Sequence, residues 1–147
     1  MTTHIMSMTY APKIEPIKTG DCRQTTRIYN YKNPFKVGDS ILIHGWGGRP
    51  YRSPWNWRRS KEPVTQIVDM VVTEDTAMFY QNPITGRLIG TESLKTLALP
   101  WHDGVMDELA RLDGIVPATG SEYKLVLEGF HGPFAKYAPE HFQIIRW

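Results

Sequence analysis

Thiol chemistry is almost absent from this 147-residue chain, whose single cysteine is Cys22. One cysteine excludes an internal disulfide and fits a reducing compartment, so the expectation is a cytoplasmic protein. Long apolar runs are missing too: none approaches the roughly 20 residues of a membrane span, and no membrane partner is expected. The opening Met1-Thr2-Thr3-His4-Ile5-Met6 has neither a basic start nor an apolar stretch, so no signal peptide is read there. Net charge is small: 17 basic against 15 acidic side chains leave +2, too little by itself to announce a nucleic-acid binder. There is no Gly-x-x-x-x-Gly-Lys phosphate loop and no Gly-x-Ser-x-Gly elbow. The histidines are scattered, and none is spaced with a cysteine as metal ligands are, so neither metal nor cofactor is expected. No repeat, low-complexity tract or linker divides the chain. Residues 1–147 therefore read as one domain, long enough to bury a core.

What is present is concentrated in two places. Gly20-Asp21-Cys22-Arg23-Gln24-Thr25-Thr26-Arg27 packs two guanidiniums, two hydroxyls, an amide and a thiol into one short stretch. Such a set can grip an anion or a polar ring, the guanidiniums by bidentate hydrogen bonds. The plainer reading is a hydrated turn entering a strand. Further on, Arg49, Arg52, Arg58, Arg59 and Lys61 occur with no acid among them, interleaved with Tyr51, Trp55 and Trp57 and preceded by Gly45-Trp46-Gly47-Gly48. Guanidiniums neutralise phosphates, and aromatic faces stack on unpaired bases at about 1–3 kcal/mol each. The alternative is a stiff loop, held by Pro50 and Pro54, whose tryptophans cover the end of a barrel. The same residue types also dominate protein hot spots, which leaves a protein-interaction domain open.

Most elements read as short strands. Met8 to Ala11 predicts a strand ending before Pro12, and Glu15 to Thr19 a helical turn stopped by Gly20. Thr25–Ile28, Ser40–His44, Thr65–Val72 and Phe142–Trp147 read as extended. Met78–Tyr80 and Arg87–Gly90 suggest a hairpin across the turn at 81–86. Val105, Leu109 and Leu112 share a helical face ending at Gly114. Thr119-Gly120-Ser121-Glu122 has the capping-box pattern, opening a helix towards Gly129 or Gly132. Asp103, Asp107 and Glu108 fall on or beside the earlier helix as a solvated face. The expected class is α+β, a small barrel with flanking helices.

The order of these motifs resembles the ASCH domain of the PUA-like superfamily, in the version found in phage and microbial genomes. The resemblance rests on Arg23-Gln24-Thr25-Thr26-Arg27, then Phe35-Lys36-Val37-Gly38-Asp39 entering a strand, the basic Gly47-Gly48-Arg49, the Glu122 helix and a terminal Ile144-Ile145-Arg146-Trp147. It spans nearly the whole chain, apart from about Thr73 to Trp101. It implies a PUA-like pseudo-barrel of five or six strands, with a ligand cleft between the barrel and the helix before the last strand. Members bind RNA or modified nucleosides. Some small relatives are amidohydrolases that release acetyl from N4-acetylcytidine, using a lysine, a threonine and a glutamate. By motif position the threonine matches Thr25, the glutamate Glu122 and the closing arginine Arg27, but Cys22 stands where the lysine would be.

That departure weakens the catalytic expectation. A threonine hydroxyl needs a neighbouring base, and a thiol with pKa near ~8.5 is a poor one. Cys22 could itself be a nucleophile, and Lys18, Lys124 or His131 could supply the base. Glu122 has a plainer role as a helix cap. The leading expectation is an RNA- or nucleotide-binding module, its partner RNA, single-stranded nucleic acid or a modified nucleoside. Arg23, Arg27 and Arg49, with Arg52 and Arg58, would hold phosphate or a base edge. Trp46, Tyr51, Trp55 and Trp57 would stack, and Gln24 and Thr25 would make polar contacts. The alternative is an amidohydrolase or a nuclease built on Thr25 and Glu122.

Overall fold

The structure, a computed structural model, describes residues 1–89 and 96–147. Its strands are β1 (Thr3–Ser7), β2 (Gln24–Ile28), β3 (Ser40–Trp46), β4 (Trp55–Arg58), β5 (Glu62–Pro63), β6 (Gln66–Val72), β7 (Thr76–Phe79), β8 (Leu97–Pro100) and β9 (Glu140–Arg146). Among the described residues three helices join them: α1 (Ala11–Thr19), α2 (Gly104–Leu112) and α3 (Gly120–His131). The fold is α+β. Among the described residues the ladders form two sheets, one with β3 between β1 and the β4 and β5 strands, the other in the order β2-β9-β6-β7-β8.

The five-stranded sheet is the middle layer, and β9 shows why. Phe142, Gln143, Ile144 and Ile145 are all buried, a run without the alternation of a strand that faces water. Phe142 and Ile144 face α2 and α3, beside Val68, Met70, Leu109 and Tyr123. Ile145 faces the other way, into a second cluster with Met6, Ile17, Ile41 and Ile43. Gln143 shares that second face and is satisfied there, accepting from the Phe35 N–H and donating to its carbonyl, both at 3.0 Å.

Four expectations need correction. Met8 to Ala11 is not a strand: β1 lies earlier, pairing in parallel with β3, and Ala11 already begins α1. Pro12 does not block that helix because its missing N–H falls where the first turn has no partner anyway. The helix buries Lys13 and Ile17 on one face and stops at Gly20, whose φ of 86° places it in the left-handed region glycine tolerates. Of the hairpin from Met78–Tyr80 to Arg87–Gly90 the described residues show the turn and an isolated antiparallel bridge between Gln81 and Leu88, whereas the ladder partner of β7 is β8. Leu88 is exposed, whereas Leu97 and Leu99 of β8 reach the core; Gly90 lies outside the described residues. The capping box is half formed: Thr119 Oγ1 accepts from the Glu122 N–H at 3.1 Å, but the Thr119 N–H goes to Pro117. Asp103 and Asp107 do more than face solvent. Asp103 caps α2 through the Val105 N–H, and Asp107 accepts the Gly120 N–H, tying α3 to α2.

A buried polar pair pins β1 to the entry of β3. His4 Nε2 lies 2.9 Å from Asp39 Oδ2, and the Thr2 and Lys36 N–H groups also donate to that carboxylate. The His4 hydrogen bond, the largest cause, holds the Asp39 carboxyl below its ordinary range. A depressed carboxyl contributes stability above its unfolded pKa of about 3.9, lost as pH falls through the folded value. Asp39→Asn should therefore lower the melting temperature at pH 7, and its gap from the parent should close below about pH 4. Thermal melts from pH 7 to pH 2 check this; a gap constant across that range overturns it.

Candidate functional site

A cleft of about 710 Å³ opens between β1, β2, α3 and the tip of the β3–β4 hairpin. Its size falls within the ~300–1,000 Å³ of small-molecule sites. Thr25, Thr26 and Arg27 form one wall, Val126, Leu127, Phe130 and His131 of α3 a second, and Pro50 and Tyr51 hang over the mouth.

The floor is a closed polar network. Asp113, just past α2, receives Lys13 Nζ at 3.1 Å on Oδ2, and Gln24 Nε2 and Thr26 Oγ1 at 3.0 Å each on Oδ1. Thr26 Oγ1 also lies 2.5 Å from the hydroxyl of Tyr123. All five residues are buried, so the ion pair is kept by its hydrogen bonds rather than by water. Burial, reinforced by the Asp113 charge, raises the Tyr123 phenol well above its ordinary value and keeps it a neutral donor.

Arg27 stands differently. Its Nη2 donates to the Ser7 carbonyl at 2.8 Å, bridging β2 to β1, while its buried Nε has no partner among the described residues. Burial lowers the guanidinium's pKa, and Asp113 and Tyr51 oppose that shift. Thr25 is buried in the same wall. Burial, with a further push from Arg27, lowers the His131 pKa against the opposing pull of Glu140, which favours the neutral imidazole at this wall.

Of the residues singled out from sequence, the cleft gathers Thr25, Arg27 and Tyr51. Gln24 lies beneath it, donating to Asp113 and accepting from Arg146 Nε at 2.8 Å. Arg23 points elsewhere, bonding the Trp147 carbonyl at 2.8 Å. Cys22 is buried, its Sγ within 3.4 Å of the Gln24 and Leu112 carbonyls, and burial raises its pKa despite Lys13 nearby. Both facts favour a protonated, packed thiol over a nucleophile. Glu122 sits at the start of α3 and is not part of the cleft lining. Of the alternative bases, Lys18 pairs with Glu15 and Lys124 with Glu128, leaving His131 in the wall.

The basic aromatic segment is the β3–β4 hairpin. Its rings form a ladder: Trp55 stacks on His44 at 3.8 Å, His44 meets Trp46 edge-on at 4.8 Å, and Trp46 tilts against Tyr51 at 5.2 Å. Trp57 packs beneath, so close that a Cβ on Gly45 would fall 2.0 Å from its Nε1. Trp46 and Trp57 are thus partly structural, whereas Tyr51 is almost fully exposed with φ at 63°. That left-handed backbone is uncommon for a bulky aromatic and places its ring at the mouth. Arg49, Arg52 and Arg58 are exposed, and no ion pair engages them among the described residues; Arg59 is tied to the Ile17 carbonyl and Glu62.

Sequence reasoning missed Lys13 and Asp113. A lysine four residues before Ile17 on one helix face was the available signal for the first. Nothing local marks the second, because its partners come from α1 and β2. No three His, Cys, Asp or Glu side chains gather as a metal would require among the described residues, and no helix is long and apolar enough to cross a membrane. Comparison with known proteins finds no matching family model, curated protein or solved structure.

Proposed function

We propose that this chain is an ASCH/PUA-like module that binds RNA or a nucleotide, taking one unpaired base into the cleft. One observation carries the reading: Pro50 and Tyr51, at the tip of the basic hairpin, lie over the mouth of the cleft lined by Thr25 and Arg27. The two segments that stood out separately in sequence thus meet at one place. A base entering the cleft would pass the Tyr51 face and meet Thr25 and the Arg27 guanidinium. The exposed Arg49, Arg52 and Arg58 would lie outside to hold phosphates. The position of the cleft beside α3, the helix before the last strand, supports the PUA-like assignment. The packing of two sheets around Met6, Ile41, Ile43 and Ile145 supports a pseudo-barrel as the finer form of the α+β fold. A buried single thiol suits a cytoplasmic setting.

A hydrolase is the second reading, favoured by Lys13, whose side chain lines the same cleft as Thr25. Gly114 places Lys13 and Cys22 side by side, since a Cβ there would meet Lys13 Cγ at 3.2 Å and Cys22 Sγ at 3.4 Å. A helix would then supply the amine that the motif lacks. Binding is preferred because the Lys13 ammonium is held by Asp113, and a paired ammonium is a poor base.

Tyr51→Ala should weaken binding of a fluorescein-labelled ten-nucleotide single-stranded RNA of mixed sequence by about tenfold or more. Its melting temperature should not move, because the side chain packs little. Anisotropy at two salt concentrations checks this, and equal affinity of parent and variant sinks the reading. Acetate release from N4-acetylcytidine by the parent, abolished in Thr25→Val, would instead favour the hydrolase.

A further inference from the structure

The cleft runs between two strand edges that no other strand covers among the described residues. β1 ends its sheet beside β3, and β2 ends the other beside β9. The direction of their main-chain groups follows from the flanking bonds. The Thr2 carbonyl accepts from the Ser40 N–H and the Met8 N–H donates to His44, each at 2.9 Å, so even-numbered residues of β1 face β3. Successive residues in a strand turn their main-chain groups to opposite edges. Thr3, Ile5 and Ser7 therefore face away, and the Ser7 carbonyl, taken by Arg27 Nη2 at 2.8 Å, shows where. In β2 the Arg23 carbonyl accepts from Trp147 and the Tyr29 N–H donates to His141. The same alternation leaves Thr26 and Ile28 turned outward. Residues from both stretches line the cleft.

We infer that the strand edges of β1 and β2 recognise the base itself, with main-chain N–H and C=O groups of Ile5 and Ile28 hydrogen-bonding its polar edge. This rests on the nucleotide reading above and specifies what reads the base. A nucleobase carries coplanar donors and acceptors, and an open strand edge offers both kinds in one plane. Thr25 and Arg27 then fix its orientation from the side. A compact ring fits better than an extended peptide, because the Arg27 side chain crosses from β2 to Ser7 and closes one end of the slot. A peptide adding as a strand needs a longer uninterrupted edge.

The test removes a donor without removing a ladder bond. Proline is tolerated on an edge strand where its nitrogen faces away from the neighbour. Ile5→Pro deletes the outward N–H, while Ile5→Ala keeps it and sets the baseline for the lost side chain. Calorimetric titration with each of the four ribonucleoside 5′-monophosphates should find the tightest-binding one at least about tenfold weaker in Ile5→Pro than in Ile5→Ala. Circular dichroism melts establish that both variants are folded. If Ile5→Pro does not fold, Ile28→Pro against Ile28→Ala makes the same comparison on β2. Nucleotide binding by the parent with equal affinities in the folded proline and alanine variants overturns the inference and leaves the nucleotide reading standing. No binding of any monophosphate by the parent, together with binding of an alternating valine–threonine hexapeptide, overturns both in favour of strand addition. No binding of either overturns both outright.

Discussion

Asp113→Ala should lower the unfolding free energy by about 3–5 kcal/mol, the range for breaking one side of a buried ion pair. The carboxylate neutralises Lys13 and accepts from Gln24 and Thr26, with the ion-pair side chains only 4% and 5% exposed. Alanine leaves a nearly buried ammonium without its counter-charge and removes the acceptor of two donors at once. The pair is not itself a strong source of stability, because desolvation offsets most of its attraction. The double variant Lys13→Met with Asp113→Leu should recover the part of the loss due to the unpaired ammonium, leaving the part due to Gln24 and Thr26, whose acceptor stays absent. Urea denaturation of the three proteins checks both statements. A single variant destabilised by less than about 1 kcal/mol would mean that water reaches Lys13 and that the floor is open.

Phe142→Ala should cost a similar amount, about 3–5 kcal/mol, for a different reason. The ring is fully buried and meets His131 at 5.1 Å and Phe134 at 5.8 Å, both edge-on. Removing it opens a cavity where the middle sheet supports α3, and rigid neighbours on two sides prevent collapse. Leu125→Ala, on the exposed face of the same helix, should stay within about 0.5 kcal/mol. Denaturant midpoints at constant slope measure both, and comparable losses in the two variants would contradict the placement of the core. Because α3 forms one wall of the cleft, Phe142→Ala is also a useful control for loss of binding by loosening alone.

Several features were legible in the chain itself. The β-branched runs at Ser40–His44 and Thr65–Val72, the apolar spacing of Val105, Leu109 and Leu112, and the Thr119 cap all correspond to observed elements, since each depends on residues close in sequence. The donor-rich stretch before Ile28 and the basic aromatic segment were visible by composition. Their meeting at one cleft was not, because Tyr51 reaches the mouth only when the β3–β4 hairpin folds beside β1. The errors share a cause. Prolines near residue 12 suggested a break where a helix begins, and the apolar Leu88 suggested a strand whose partner role belongs to Leu97 and Leu99.

Local chemistry thus determined most of the element types and the two polar segments worth attention. Tertiary structure alone decided which of their side chains became site and which became scaffold. Arg23 and Gln24 were drawn into bonds with the Trp147 carbonyl and Asp113, while neighbouring Thr25 and Arg27 were left facing the cleft. The reason is physical: strand alternation sends Gln24 and Thr26 to the face where Asp113 and Tyr123 take their hydrogen bonds, and Thr25 and Arg27 to the other, while Arg23, of the same parity as Thr25, is drawn away by the Trp147 carbonyl. Lys13 and Asp113, a hundred residues apart, became partners by the same packing.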